Sequence, residues 1–164
     1  MTMDKHTTDP LHREIIAFRD SFKTLTLATV SRNHRPEASV APFVISEHGN
    51  ICVYISELAQ HTRNLLEGSS ASLLLVADEQ DSRNLFARRR LVLHANAFEI
   101  PRTSPQRDEI MAQFRQRFDA TIDILMQLPD FHLFGFKIDS ASYVQGFGQA
   151  FNLDQDLRPL QLKQ

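Results

Sequence analysis

The chain has 164 residues, of which 42% are hydrophobic and 23% charged, and 18 basic against 20 acidic residues give a formal net charge of −2. This length predicts one domain with a substantial core, and the balanced charge argues against a dedicated nucleic-acid-binding protein. The single Cys52 excludes an internal disulfide and a cysteine-based zinc site, which is typical of the cytoplasm. Because no long apolar run and no apolar leader are present, we expect neither a membrane span nor a secretory signal.

The first third of the chain predicts one helix followed by three antiparallel strands. Asp9 is a suitable N-cap and Pro10 a suitable first helical residue, and apolar residues recur at i, i+4, i+7 and i+11 from Leu11. β-branched and apolar residues then dominate three stretches that are separated by polar turns. The predicted strands cover residues 23–31, 38–45 and 51–55.

The rest of the chain predicts further strands with helices between them. Ser56 is a suitable N-cap for a short helix that ends at Gly68, and Ser104 begins another helix with an apolar stripe. A short helical segment covers residues 120–128, and the predicted strands are 71–77, 88–100, 131–138 and 142–151. Together these elements predict a small antiparallel α+β barrel. We expect one domain over residues 1–153 and a C-terminal tail over residues 154–164.

Common catalytic signatures are missing from the sequence. It contains no P-loop, no dinucleotide fingerprint, and no HExxH or GxSxG motif. The seven histidines are scattered, and none pairs with another at i, i+4 within a predicted helix, so we do not expect a dedicated metal-ion site.

One polar segment lies where the third predicted strand runs into a helix. It places hydroxyl, imidazole and guanidinium groups beside the free amides of a helix N-terminus, which predicts an anion or phosphate cradle. A capped and solvated surface helix accounts for the same residues equally well. The side chains concerned are Ser56, His61, Thr62 and Arg63.

Three consecutive arginines stand at the beginning of the long predicted strand. Strand alternation directs Arg88 and Arg90 to one face and Arg89 to the other. The first face is suited to an anionic ligand such as a phosphate or a propionate. The alternative is a cluster of charges that keeps the strand end from associating with other strands.

The C-terminal third contains further candidates. Gly146 and Gly148 alternate, which predicts either close approach of a flat ligand or tight packing at a bend. Asp130 is either a turn residue or a carboxylate that polarises a ligand group. Three more polar side chains alternate with apolar neighbours, and we expect them to be half-buried structural residues: His94, His132 and Tyr143.

Taken in order, these segments resemble a known superfamily. The run Arg35-Pro-Glu-Ala-Ser-Val-Ala-Pro-Phe43, followed by Ser56-x4-His-Thr-Arg-Asn64, resembles the pyridoxamine 5′-phosphate oxidase-like, FMN-binding split-barrel proteins. Within that superfamily, three further motifs are similar to the HugZ/HutZ haem-utilisation branch: Arg88-Arg-Arg-Leu91, Asp130-Phe-His-Leu-Phe134 and Gly146-Phe-Gly-Gln-Ala-Phe151. The resemblance covers roughly residues 15–153.

The resemblance implies a homodimer of antiparallel six-stranded split β-barrels with flanking helices, in which ligands bind two clefts across the dimer interface. In the flavin-binding relatives, the residues matching Ser56, His61, Thr62 and Arg63 hold the FMN phosphate. The strand that matches Ser39, Val40 and Ala41 lines the flavin ring.

For the haem-degrading relatives the resemblance implies catalytic roles for two residues. The arginine matching Arg90 faces the oxygen-binding side of the haem, and the aspartate matching Asp130 hydrogen-bonds the axial histidine across the dimer. That axial histidine lies in the C-terminal tail of those enzymes, whereas residues 152–164 here contain no His, Cys, Met or Tyr. His94 and His132 are the substitute candidates for the iron ligand, and His132, two residues beyond Asp130, is the one close to the expected site.

The sequence therefore predicts a cytoplasmic homodimer that binds haem and degrades it oxidatively with electrons from an external reductant. Its cofactor is expected to be haem or FMN, with Arg88 among the cofactor-binding residues. An FMN-dependent oxidoreductase and a non-catalytic haem carrier are the alternatives. Neither a nucleic acid nor a membrane is an expected partner.

Overall fold

The computed structural model describes residues 9–160, and its strands form a closed antiparallel barrel. Six strands follow one another in the order β3-β2-β1-β4-β5-β6, β3 pairs with β6 to close the barrel, and β7 adds to β6. The strands are β1 Thr24–Val30, β2 Pro36–Ile45, β3 Ile51–Ser56, β4 Ser70–Val76, β5 Arg90–Glu99, β6 Phe131–Gly146 and β7 Gln149–Leu153. The helices are α1 Pro10–Asp20, α2 Gln60–Glu67, α3 Gln106–Phe118 and α4 Thr121–Leu125. The predicted six-stranded α+β split barrel is confirmed.

The start of α1 follows the sequence closely. The Asp9 carboxylate accepts a hydrogen bond from the Leu11 amide at 3.0 Å, and Pro10 is the first helical residue. Ile15 and Phe18 are buried in the barrel core, so the predicted apolar stripe is the face that packs.

The predicted N-cap of α2 is wrong. The cap is Ala59, which makes no side-chain capping bond, and the helix begins at Gln60. Ser56 is instead the last residue of β3, where its hydroxyl accepts from the Leu58 amide and donates to Asp130. The hydroxyl stabilises a turn before the helix, a use of serine that competes with helix capping.

The predicted strands 131–138 and 142–151 are in reality one long strand and a hairpin. β6 runs unbroken through this region because a register shift opposite His94 and Ala95 absorbs its irregular stretch. The chain then turns at Phe147 and Gly148, where the glycine has φ of +70°, and returns as β7. The idea that alternate glycines share a strand face for a flat ligand is therefore also wrong.

Two apolar clusters hold the molecule together. The first fills the barrel, where Leu27, Leu73, Leu93 and Phe136 are fully buried. The second lies between the outside of β3 and β6 and the helices α3 and α4, and Phe114 is buried in it. Tyr143 is fully buried in the first cluster and His94 is exposed, so only His132 has the half-buried position expected of all three.

Part of the outer barrel wall carries no helix. Strand alternation and register align Val40, Thr26, Leu74 and Val92 across β2, β1, β4 and β5 on this wall. Val40 is 64% exposed, and the other three are half-buried. We call this surface the outer sheet face.

The chain beyond residue 153 stays in contact with the barrel. Leu157 is buried in the barrel core, Leu153 and Pro159 form an antiparallel bridge, and the Leu160 amide donates to Asn152. Residues 154–160 of the predicted tail therefore form part of the folded domain. Within residues 9–160, no helix is long and apolar enough to cross a membrane.

Candidate functional site

Ser56 and Asp130 meet at one end of the barrel. The Ser56 hydroxyl donates to the Asp130 carboxylate at 2.5 Å, and the amide of the next residue, Glu57, donates to the Asp130 carbonyl at 2.9 Å. These bonds join the β3–α2 loop, residues 57–59, to the chain just before β6. The neutral Ser56 hydroxyl thereby fixes the orientation of the Asp130 side chain.

Arg63 supports the same loop. One guanidinium nitrogen donates to the carbonyls of Glu57 and Leu58 at 2.9 and 3.2 Å, and another donates to the Gln60 side chain at 2.9 Å. Thr62 is fully buried, and its hydroxyl has no hydrogen-bond partner among residues 9–160. The residues of the predicted anion cradle therefore lie in different environments. The Arg63 guanidinium donates its hydrogen bonds to other groups of the protein.

His61 is a buried imidazole that contacts β2. Its Nδ1 lies 2.7 Å from the Ser39 hydroxyl, which itself donates to the Leu27 carbonyl at 3.2 Å. The Ser39 hydroxyl thereby links the His61 ring to the backbone of β1. Burial lowers the pKa of His61 by disfavouring the charged ring, and the negative charge of Glu37 partly offsets this shift.

The predicted flavin-lining strand presents its side chains on two faces. Ser39 turns inward to His61, Val40 points to the outer sheet face, and Ala41 is fully buried in the barrel core. Of these three side chains, the structure leaves only Val40 available to a ligand or a partner on the outer face.

His132 lies between two carboxylates. Its Nε2 is 2.5 Å from Glu57, and its Nδ1 is 2.6 Å from Glu99 at the end of β5. Burial lowers its pKa, but the hydrogen bonds and charges of Glu99 and Glu57 outweigh burial and raise the pKa overall. A doubly protonated ring has no lone pair for iron. No three His, Cys, Asp or Glu side chains within residues 9–160 form a metal-ion site.

Arg89 and Arg90 lie on opposite faces of the sheet, as strand alternation predicts. Arg90, the first residue of β5, lies on the outer side in register with Val76 and Val144, and donates to the Arg88 carbonyl at 2.9 Å. Arg88 precedes the strand and donates to the Ala77 carbonyl at 2.5 Å. Arg90 thus lies at the edge of the outer sheet face, whereas Arg88 also contacts the Glu79 carboxylate at 3.5 Å.

Arg89 belongs to a polar network that the sequence does not reveal. It donates to the Tyr143 hydroxyl at 2.5 Å and to the Glu14 carboxylate at 3.0 Å, and its guanidinium lies over the Phe18 ring. Tyr143 and Gln145 donate to the same carboxylate. Strand alternation predicts that the Arg89 side chain points inward. It does not predict the partner, because Glu14 on α1 is 75 residues away in the chain.

A cleft of about 710 Å³ opens beside this network. It lies between the end of α1, the β4–β5 connection and the β6–β7 turn, and its lining includes Lys23, Arg83 and Phe147. Asp78 and Asp81 also line it, so its charge is mixed. Neither Arg90 nor Asp130 contributes to this cleft.

Arg90 and Asp130 lie at opposite ends of β6. Arg90 is in register with Val144, which follows Asp130 by 14 residues. At about 3.3 Å per residue this is roughly 45 Å of strand path. One copy of the chain therefore does not bring the two predicted catalytic residues together.

Comparison with known proteins identifies relatives of this architecture. Heme oxygenase HutZ of Vibrio cholerae is 42% identical over 146 residues, which cover 89% of this chain and 82% of that protein. A crystal structure of HutZ, described as a heme storage protein, has a TM-score of 0.71 at 42% identity and covers 76% of this chain and 87% of that one. ChuZ of Campylobacter jejuni has a TM-score of 0.81 at 25% identity, covering 97% of this chain and 68% of that one.

The family model named pyridoxamine 5′-phosphate oxidase matches residues 11–145. This range spans the barrel from α1 to the second half of β6. The resemblance seen in the sequence motifs is therefore confirmed. The chain belongs to the pyridoxamine 5′-phosphate oxidase family, in the branch that includes HutZ.

Proposed function

We propose that this protein binds haem and catalyses its oxidative breakdown in a cleft shared by two copies of the chain. The identity of 42% to a protein named heme oxygenase supports this reaction class. The observation that carries the proposal is the position of Arg90, whose guanidinium stands at the edge of an exposed apolar sheet face. Apolar surface beside cationic donors suits a flat macrocycle that bears propionates.

The residues present fit such a ligand. Val40 and Val92 offer apolar contact on the outer sheet face, and Arg90 stands at its edge. Haem, when bound, supplies an iron that reacts with O₂ and a porphyrin ring that is opened. Arg90 would donate hydrogen bonds to the ligand, and Asp130 would remain an acceptor oriented by Ser56.

The fit does not include an iron ligand beside Asp130. Both His132 nitrogens are engaged by carboxylates, so His132 does not serve as the axial ligand in this proposal. Within residues 9–160, the side chain bonded to Asp130 is the Ser56 hydroxyl, not an imidazole. In this proposal Asp130 is a carboxylate of fixed orientation in the wall of the cleft shared by two copies of the chain. It is not the partner of an axial histidine.

A second copy of the chain completes the site in this proposal. Arg90 and Asp130 are too far apart on one copy to share a ligand, and the outer sheet face leaves Val30 and Val40 41% and 64% exposed. Pairing two such faces buries these residues and brings the Arg90 end of one copy near the Asp130 end of its partner. Electrons come from an external reductant.

FMN binding is the second candidate because the whole barrel matches the pyridoxamine 5′-phosphate oxidase model. The structure gives it less support, since the Arg63 guanidinium is bonded to two carbonyls and Gln60, and Thr62 is fully buried. A haem carrier without turnover uses the same surface and differs in lacking the reaction with O₂.

An absorption titration distinguishes these functions. We expect haem to give a saturable Soret shift and FMN to give no saturable change, and we expect ascorbate with O₂ to bleach the Soret band. Arg90→Ala should slow bleaching at least about tenfold, because one charge-assisted hydrogen bond is worth about 1.5–3 kcal/mol. Arg115→Ala, which removes an exposed arginine from α3, is the control and should bleach like the wild type.

Each other outcome has a definite meaning. Saturable FMN binding without a Soret shift would make the protein a flavoprotein. A stable Soret shift that resists bleaching would make it a haem carrier. Equal bleaching rates in the wild type and Arg90→Ala would remove Arg90 from the reaction.

A further inference from the structure

His132 connects three elements at the end of the barrel where Asp130 lies. It is the second residue of β6, Glu57 belongs to the β3–α2 loop, and Glu99 is the last residue of β5. The imidazole bridges the two carboxylates at 2.5 and 2.6 Å, and its side chain is only 19% exposed. Both carboxylates are about half exposed, so the ring is the buried member of the cluster.

The bridge acts on the loop that contacts Asp130. Glu57 is bound to the beginning of β6 twice, by its carboxylate to the His132 ring and by its amide to the Asp130 carbonyl. The residue before it, Ser56, donates to the Asp130 carboxylate. Three consecutive contacts therefore join residues 56–57 to residues 130–132, and the imidazole is the only one of these groups anchored to a third strand.

Other charged groups around the bridge do not replace it. Arg63 from α2 donates to the backbone carbonyls of the loop, and Arg102 donates to the carbonyls of Leu128 and Pro129 ahead of Asp130. Neither arginine forms a salt bridge with Glu57 or Glu99 within residues 9–160. Among residues 9–160, His132 is the basic side chain that contacts both carboxylates.

We propose that His132 is a positioning residue, which fixes the β3–α2 loop and through it the direction of the Asp130 carboxylate. The role of Asp130 at the ligand rests on the proposed function, but the fixing of the loop does not. A ring that donates from both nitrogens suits this task because each bond restrains a different element.

Hydrogen exchange of the ligand-free protein tests the proposal without haem. In His132→Gln the bridge is broken, and we expect the Glu57 amide to exchange at least about tenfold faster than in the wild type. His132→Arg restores a cation that can donate to both carboxylates, and we expect it to restore most of the protection. His48→Gln removes an exposed histidine from the β2–β3 turn and should leave the Glu57 amide unchanged.

A second readout reports on Asp130 itself. The carboxyl carbon of Asp130, followed by NMR, should shift in His132→Gln and return toward the wild-type position in His132→Arg. Unchanged Glu57 exchange and an unchanged Asp130 signal in folded His132→Gln would overturn the proposal. Should that variant fail to fold, Glu99→Gln removes only the β5 anchor and must give the same direction of change. Failure of haem to bind the wild type would refute the proposed function and leave these results interpretable.

Discussion

The pKa values of two histidines close to the β3–α2 loop are shifted in opposite directions by their surroundings. Burial lowers the pKa of His61, whose ring contacts a neutral serine hydroxyl, and the charge of Glu37 only partly offsets this. His132 donates to two carboxylates, which favours the charged ring and raises its pKa despite burial. The difference arises from the hydrogen-bond partner rather than from burial alone.

This difference predicts the order in which the two histidines titrate. By NMR we expect His61 to titrate below, and His132 above, the ordinary histidine value near 6.5. A lowered folded pKa means that the His61 contribution to stability is lost as the pH falls below about 6.5. A raised folded pKa means that the His132 contribution is present below about 6.5 and is lost as the pH rises through its folded pKa. The reverse order of titration would contradict both environments.

Tyr143 provides a prediction for the network around Arg89. Its hydroxyl donates to Glu14 and accepts from Arg89, so we expect Tyr143→Phe to lower the free energy of unfolding by about 2 kcal/mol. Tyr54→Phe is the matched control: within residues 9–160 the Tyr54 hydroxyl has one acceptor, the Leu125 carbonyl at 3.5 Å, so its loss should cost less than about 1 kcal/mol. Chemical denaturation measures both, and equal losses would show that the network adds nothing to Tyr143.

The same tyrosine predicts a pH dependence at the alkaline end. Burial raises the pKa of Tyr143 to about 12, and the Glu14 carboxylate adds to this while Arg89 opposes it. The folded protein therefore holds this proton after the unfolded chain, with a tyrosine pKa near 10, has released it. Stability should fall between about pH 10 and 12, and the fall should be smaller in Tyr143→Phe than in the wild type. Parallel stability curves for the two proteins would contradict the raised pKa.

The sequence predicts the bounds of a helix or strand well only where the contacts that stabilise it are local. The start of α1 is predictable because Asp9 and Pro10 act within one turn. The start of α2 is not, because the Ser56 hydroxyl bonds to Asp130, 74 residues later. The continuity of β6 depends on its register with β5, and the position of Arg89 depends on Glu14. The candidate residues were identifiable by type, whereas their partners come from the barrel topology.

The segment after β7, residues 154–160, provides a prediction about stability. Leu157 is 4% exposed and packs in the barrel core, so Leu157→Ala should lower the free energy of unfolding by about 2–5 kcal/mol. Leu160→Ala removes a side chain that is 54% exposed and should change stability by less than about 1 kcal/mol. Thermal and denaturant unfolding measure both. A Leu157 variant as stable as the Leu160 variant would mean that residues 154–160 do not belong to the core.

For the whole molecule, the uncovered outer sheet face is the feature that needs explanation. Helices α3 and α4 cover the outside of β3 and β6, whereas Val40, Leu74 and Val92 lie on a wall without a helix. Exposed apolar surface of this kind commonly marks an interface. The homodimer that we propose would bury this face and would place Arg90 at a subunit boundary.

A charge on this face should prevent pairing. We expect the wild type to have twice the mass of one 18.8 kDa chain by light scattering, and Val40→Lys to shift it toward the monomer with an unchanged circular dichroism spectrum. Ile124→Lys alters an apolar side chain on α4 that is 65% exposed, and it should leave the dimer intact. A monomeric wild type at micromolar concentration would refute the dimer.

In the function that we propose, one haem site uses Arg90 from one copy of the chain and Asp130 from its partner. Mixed dimers, purified through two different tags, carry Arg90→Ala on one chain and Asp130→Ala on the other. A shared site leaves one intact site in each mixed dimer, so haem breakdown should return to about half of the wild-type rate, although both parent homodimers are slow. Mixed dimers as slow as the two parents would contradict the shared site.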